Sequence, residues 1–188
     1  PDGGEEVAGF DLRGAAIGSE GMFGVVTTVL VRLMKTPPAF KTFLCVFESV
    51  DDASQAVSGI IADGIVPAAL EMMDQLITQA LEEAYHFGFP LDAGAVLIVE
   101  LDGLPKGVEQ QAKRVEEVCR QNNASEVRLA KDDAERAALW KCRKRAFGAI
   151  GRLSPNYVTQ DGVVPRSKLP EIMRFISSVR DKDLVPSQ

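Results

Sequence analysis

The sequence holds one histidine, His86, and three cysteines, Cys45, Cys119 and Cys142, none in a CxxC pair. That leaves no recognisable zinc site, which needs about four closely spaced Cys and His ligands. It also leaves no nucleophile elbow, since Ser19 lies in GSEG rather than GxSxG. The odd, widely spaced cysteines read as reduced thiols of a cytoplasmic protein, expected as small buried hydrophobes. No apolar run approaches the ~20 residues of a membrane span. Acidic residues outnumber basic ones, 27 to 21, for a net charge of −6 over 188 residues. Nucleic acid and anionic membranes are entered through basic patches, so neither is the expected partner. The phosphate-binding signatures GxGxxG and Gly-Lys-Ser/Thr are missing as well.

What the chain does have is a glycine-punctuated stretch, Gly18-Ser19-Glu20-Gly21 with Gly24 behind it, set before the β-branched run Val25-Val26-Thr27-Thr28-Val29-Leu30-Val31. Glycine permits positive φ and close backbone approach. The run that follows predicts a strand ending near Leu33. Two readings stay open on these residues: a plain glycine turn before a strand, or a loop whose N–H groups meet a phosphate or a flavin edge. Residues 1 to 9, acidic and glycine-rich, predict a loop. Pro37-Pro38 stops the strand and marks a linker.

Beyond the linker the pattern alternates. Strands are predicted at Phe40–Ser49, Ala68–Met73, Ala93–Leu101 and Glu126–Ala130. Helices fall between and after them: one opened by Asp51-Asp52 and running to Asp63, one opened by Asp74, one over Lys106–Gln121, one from Asp132-Asp133 to Arg152, and one over Ser167–Arg180 with Ser167 as its cap. Asn156–Val164 is expected to be extended. The class is α+β, a ferredoxin-like antiparallel sheet with helices packed on one face.

Candidate chemistry gathers late in the chain. From Arg136 to Arg152 there are Arg136, Lys141, Arg143, Lys144, Arg145 and Arg152 and no acidic residue. Most of these side chains are expected in solvent, favoured by the negative carbonyl end of the helix. Arg143 stands apart. It shares a helix face with Trp140 and Phe147, so one guanidinium sits on a partly apolar surface. There it can take a carboxylate through two parallel hydrogen bonds, or serve as a packing and salt-bridge residue. His86 reads as a surface or capping group at a helix end.

Two motifs carry a family resemblance. Asp11-Leu12, Ile17-Gly18-Ser19-Glu20-Gly21 and Phe23-Gly24-Val25-Val26-Thr27 resemble the close of the FAD-binding domain in FAD-linked oxidases of the vanillyl-alcohol oxidase type, with Met22 and Phe23 in place of the usual Thr and Leu. Leu139-Trp140-Lys141-Cys142-Arg143 and Asp161-Gly162-Val163-Val164-Pro165-Arg166-Ser167-Lys168-Leu169-Pro170-Glu171 are similar to the C-terminal domain of the glycolate oxidase and D-lactate dehydrogenase group.

The resemblance implies a flavoenzyme that oxidises a 2-hydroxy acid, glycolate or D-lactate, to the 2-keto acid. The hydroxyl loses a proton and Cα a hydride to flavin N5. Arg143 would bind the substrate carboxylate, and Gly18, Ser19, Glu20, Gly21, Gly24, Val25 and Val26 would line FAD. It places the Asp161–Lys168 turn on the substrate side of the flavin. Residues 1–36 would be a remnant of the FAD-binding domain, carrying its last strand, and 37–188 most of the C-terminal domain. The chain is expected to be an internal fragment, inactive alone and not retaining FAD, with the catalytic base and any metal site outside it. Partner oxidase subunits are a further expectation. The alternative is a non-catalytic ferredoxin-like module that binds a small molecule or regulates.

Overall fold

A computed structural model describes residues 9–183 except 155, 157 and 160. The loop expected over residues 1–9 therefore lies outside the described residues as far as Ala8. The chain divides into two units, Pro1–Thr36 and Pro37–Gln188.

In the first unit Asp11 caps a five-residue helix α1 (Leu12–Ala16), its Oδ1 accepting the Gly14 N–H at 2.9 Å. The glycine turn follows, closed by the Ser19 N–H on the Ala16 carbonyl (3.2 Å) and the Met22 N–H on the Ser19 carbonyl (2.9 Å). Gly18, Glu20 and Gly21 have φ of +74°, +50° and +84°. Glycine takes such angles freely, whereas Glu20 adopts them at a steric cost. The predicted strand from Val25 to Leu33 is not formed: these residues carry no regular structure and are exposed. A strand persists only when its N–H and C=O groups meet a neighbouring strand. No strand lies within this unit among the described residues.

The second unit is built on four strands, β1 (Ala39–Phe47), β2 (Ala69–Asp74), β3 (Ala95–Gly103) and β4 (Ala124–Leu129). They are ordered β2-β3-β1-β4 with every neighbour antiparallel. This is the split β-α-β order of a ferredoxin-like sheet. Helices α2 (Val50–Ala62) and α4 (Pro105–Gln121) make the β1-to-β2 and β3-to-β4 connections. Helix α2 starts at Ser49 rather than at Asp51-Asp52: the Ser49 hydroxyl accepts the Asp52 N–H at 3.0 Å. Helix α3 (Gln75–Tyr85) opens on Asp74, whose carboxylate accepts the Ile77 N–H. Helix α5 (Asp133–Leu153) opens on Asp132, which takes the Glu135 N–H. A glycine before β3 is obligatory: a Cβ on Gly94 would lie 2.1 Å from the Glu48 carbonyl oxygen.

The expectation of helices on one face holds for half of the arrangement. Alternate residues of β1 and β3, Phe43, Cys45, Phe47, Leu97, Val99 and Leu101, pack beneath α2 and α4. The intervening Leu44, Val46, Val96 and Ile98 pack against Leu81, Leu139 and Cys142 of α3 and α5 on the opposite face. Side chains alternate across a strand, so an unbroken apolar run must bury both faces. The sheet is the middle of three layers.

Toward the C-terminus, a single 3-10 turn (Arg166–Lys168) leads into helix α6 (Leu169–Asp183). Ser167 lies inside that turn and makes no capping bond, contrary to its predicted role, because the turn begins one residue earlier, after Pro165. The extended stretch expected over Asn156–Val164 forms no strand at its described residues; Tyr157 and Gln160 lie outside them.

Candidate functional site

One stripe of α5 organises the second unit's chemistry. Arg136, Trp140, Arg143, Phe147 and Ile150 recur at three- and four-residue steps, which stack on one side of a helix. That side lies over the sheet face carrying Thr42, Glu71 and Glu100.

At the N-terminal end of the stripe Glu100 is buried and accepts four hydrogen bonds. Its Oε2 accepts hydrogen bonds from Arg136 Nε (2.8 Å), Trp140 Nε1 (2.6 Å) and Thr42 Oγ1 (2.8 Å), and its Oε1 from Arg136 Nη2 (2.8 Å). Three of the four bonds converge on Oε2, so Oε1 keeps one lone-pair site beyond the Arg136 bond. Burial alone would raise the Glu100 carboxyl, but the bonds from Arg136, Trp140 and Thr42 outweigh it and hold the group below the usual carboxylate range. The outer face of Arg136 lies on the Phe40 ring, 4.6 Å from its centroid.

Two turns on, Arg143 forms an ion pair with Glu71 of β2, Nε to Oε1 at 3.1 Å, without an aligned hydrogen bond. Glu71 is two residues from Met73 along β2 and so on the same sheet face. Beside the pair opens a cavity of about 360 Å³ lined by Glu71, Asp74 and Arg143 and by apolar Met73, Ile77, Phe147, Ile150 and Met173. Arg143 donates no hydrogen bond and has no second ion-pair partner among the described residues, so its donors, the Nη1–Nη2 edge included, carry no hydrogen bond. That edge has the fork geometry that accepts a carboxylate.

The rest of the basic stretch is more engaged than its composition predicts. Arg145 and Arg152 both lie over the Tyr85 ring of α3, at 4.8 and 5.3 Å, and Arg152 reaches the Ala84 carbonyl. Lys141 and Lys144 are exposed, as expected. The three cysteines are buried free thiols. Burial, helped by Glu82, pushes the Cys142 thiol up to about 12, which makes it a packing group and no nucleophile. His86 ends α3 in a left-handed conformation, its N–H on the Glu82 carbonyl.

The turn from Asp161 to Lys168 holds no comparable cluster. Lys168 pairs with Glu171 (2.7 Å), while Arg166 lines a separate cavity with Gln55, Ser58 and Arg174 between α2 and α6. The glycine turn of the first unit is described by itself. Nothing lies within 4 Å of where a Cβ would stand on Gly18, Gly21 or Gly24, so the backbone there is open to a ligand.

Glu71 and Glu100 are the members of this constellation that sequence reasoning missed. Each interrupts a strand that is otherwise apolar on its inward side, and an acidic residue in such a place needs a partner. That pattern is the signal by which both could have been found.

Four antiparallel strands in the order β2-β3-β1-β4 between two helical layers define an α+β domain of ferredoxin-like topology. Residues 36–185 match the family of FAD linked oxidases, C-terminal domain, and the chain belongs to it. It is 47% identical over 169 residues to the glycolate oxidase subunit GlcD of Escherichia coli K12, covering 90% of this chain and 34% of that protein. The Bacillus subtilis glycolate oxidase subunit GlcD is 38% identical over 95% of this chain and 38% of its own length. A probable mitochondrial D-lactate dehydrogenase of Danio rerio is 32% identical over 88% of this chain and 33% of its own. The chain thus spans about a third of the length of the curated relatives it matches. Among solved structures, an alkyldihydroxyacetonephosphate synthase superposes with a TM-score of 0.64 over 94% of this chain and 38% of that one, at 17% identity, which is a likeness of fold.

Proposed function

We propose that this chain belongs to a longer FAD-dependent oxidoreductase that converts a 2-hydroxy acid, glycolate or D-lactate, to the 2-keto acid. Residues 1–36 are then the end of the FAD-binding domain and 37–188 the substrate domain. The observation that carries the reading is Arg143: a guanidinium with a vacant fork, at the mouth of an otherwise mainly apolar cavity. Sequence identity to glycolate oxidase subunits and D-lactate dehydrogenases supports the substrate class.

The residues present fit a flavin. Gly18, Ser19, Glu20 and Gly21 form a turn in which Gly18, Glu20 and Gly21 have positive φ, with open space above the glycines. With Gly24, Val25 and Val26 they would hold FAD through backbone N–H groups, as such turns hold anionic or electron-rich edges. When bound, that cofactor supplies the two-electron sink for oxidation at Cα.

The chain's own contribution is binding and orientation. Arg143 takes the carboxylate by two charge-assisted hydrogen bonds, which fixes the attached Cα in position and direction. Phe147, Ile150 and Met173 keep water from the organic part of the substrate. The proton acceptor is assigned to no residue of this chain: Glu100 is committed to Arg136, Trp140 and Thr42, and His86 caps a helix. Among the described residues no helix is long and apolar enough to cross a membrane. A cytoplasmic setting accords with three unpaired thiols. Partner oxidase subunits follow from the same reading, since the similar bacterial proteins are named as subunits.

The test is the Arg143→Ala variant of the whole flavoprotein. KM for D-lactate or glycolate is expected to rise about 100-fold, the loss of a bidentate ionic contact, with the flavin absorption near ~450 nm retained. An unchanged KM would sink the reading and favour a non-catalytic module.

A further inference from the structure

The motif Arg166-Ser167-Lys168 has no part in the Arg143 cavity, yet two of its residues line another. That second cavity, about 500 Å³, lies between α2 and α6 and shares no lining residue with the first. Gln55, Ser58 and Ala62 recur on α2 at three- and four-residue steps, and Arg166, Pro170 and Arg174 recur at four-residue steps through the 3-10 turn and α6, so one helix face makes each wall. Apolar Ile61, Ala62 and Pro170 stand beside the polar side chains.

Several donors at this cavity have nothing to donate to. Ser54 of α2 bonds back to the Val50 carbonyl at 2.7 Å, a common refuge of a helical serine hydroxyl. Ser58, one turn on, makes no such bond: its Oγ is shielded from solvent and is the one buried side-chain polar atom without a partner among the described residues. A shielded hydroxyl left without a bond costs stability unless an occupant supplies one. Arg166, Ser167 and Gln55 likewise carry no side-chain hydrogen bond or ion pair among the described residues. Arg174 donates from Nε to Asp51 Oδ1 at 2.6 Å, which leaves its Nη groups without hydrogen bonds. The single carboxylate of the lining, Glu171, is taken by Lys168 at 2.7 Å. Arg166 is therefore a cation without a counter-ion, in a chain of net charge −6, just before the positive N-terminal end of α6.

A carboxylate has about four lone-pair sites, whereas a phosphate presents three terminal oxygens and up to about two negative charges, and suits guanidinium and hydroxyl donors together. A bare phosphate ion would leave most of the cavity empty, and the apolar wall fits a short organic group. We propose that the α2–α6 cavity is a second ligand site, holding a small phosphomonoester through Arg166, Arg174, Ser58 and Ser167. This site stands whether or not Arg143 binds the substrate carboxylate.

The experiment is calorimetric titration of the whole flavoprotein, at two temperatures, with ethyl phosphate, inorganic phosphate and propionate. Ethyl phosphate is expected to bind saturably with a Kd below about 1 mM. Inorganic phosphate should bind about threefold or more weaker for want of the apolar contact, and propionate about tenfold or more weaker. Arg166→Ala should weaken ethyl phosphate about tenfold or more, the loss of a charge-assisted hydrogen bond, while Arg143→Ala should leave it within about twofold. Arg166→Gln replaces Ala should the latter not fold. Ser58→Ala is expected to weaken ethyl phosphate about threefold without lowering the melting temperature, since no bond is lost in the free protein. No saturable binding of ethyl phosphate, or an affinity that Arg166→Ala leaves unchanged, overturns the site. Binding lost in Arg143→Ala instead puts the phosphate in the substrate cavity and overturns it equally. Equal affinity for propionate overturns the choice of phosphate, and equal affinity for inorganic phosphate overturns the organic part.

Discussion

Helix α5 carries two arginine–glutamate pairs on one face, seven residues apart, and they have opposite characters. At Arg136–Glu100 the side chains are 32% and 10% exposed, and the carboxylate accepts four hydrogen bonds. At Arg143–Glu71 they are 49% and 31% exposed, joined as an ion pair without an aligned hydrogen bond, beside a cavity that both line. The residue types are identical. What separates the two pairs is how much hydrogen-bonding capacity remains on the arginine and whether a cavity adjoins it. Trp140, between them, spends its indole N–H on Glu100 and so holds the helix against the sheet one turn before Arg143.

The largest effect expected from breaking this contrast is at Glu100. Glu100→Ala strands Arg136 and removes the acceptor of Trp140 and Thr42, for a loss of about 3 kcal/mol in urea unfolding, discounted for the partial exposure of Arg136. Next comes Trp140→Phe, which deletes one bond to an ionised carboxylate and should cost about 1.5 kcal/mol by the same measurement. Arg143→Ala should change stability by no more than about 0.5 kcal/mol, as an exposed pair does, while weakening the substrate. Equal destabilisation at Arg143 and Arg136 would erase the distinction drawn between them.

Acid should separate the pairs too. The Glu100 carboxyl is held low in the folded protein. A depressed folded pKa contributes stability that is fully present above the unfolded value, about 4.3 for glutamate, and is lost as pH falls through the folded value. Stability of the wild type should therefore fall more steeply below about pH 4 than that of Glu100→Gln, the two curves converging as pH drops. Parallel curves from acid unfolding would show that Glu100 contributes no such linkage. The smallest effect is expected at Arg145→Gln, which loses the stacking on Tyr85 at an exposed site and should cost about 0.5 kcal/mol.

The elements between Ala39 and Leu153 were legible because their signals are local: caps at Asp74 and Asp132, an apolar run in β1, an unbroken Val-Leu-Ile-Val in β3. The second helical layer has its signal in that same unbroken run, which a sheet covered on one face alone would not need. The strand expected from Val25 was not formed, because β-branched composition favours a ladder and cannot supply its other half. Arg143 could be picked out from its helix-face neighbours. Its partner could not: Glu71 lies seventy-two residues away, and only the register of β2 on β3, with Glu71 opposite Ile98, brings it under α5.

Helix α3 lies between two strands that a plain ferredoxin-like chain would join by a short turn. It was added without disturbing the order β2-β3-β1-β4. Helices α2 and α4 supply no lining residue to the Arg143 cavity, but α6, which supplies Met173, packs on α2. A change in the α2 layer can therefore reach the cavity wall through α6, although the sheet stands between most of the two helical layers.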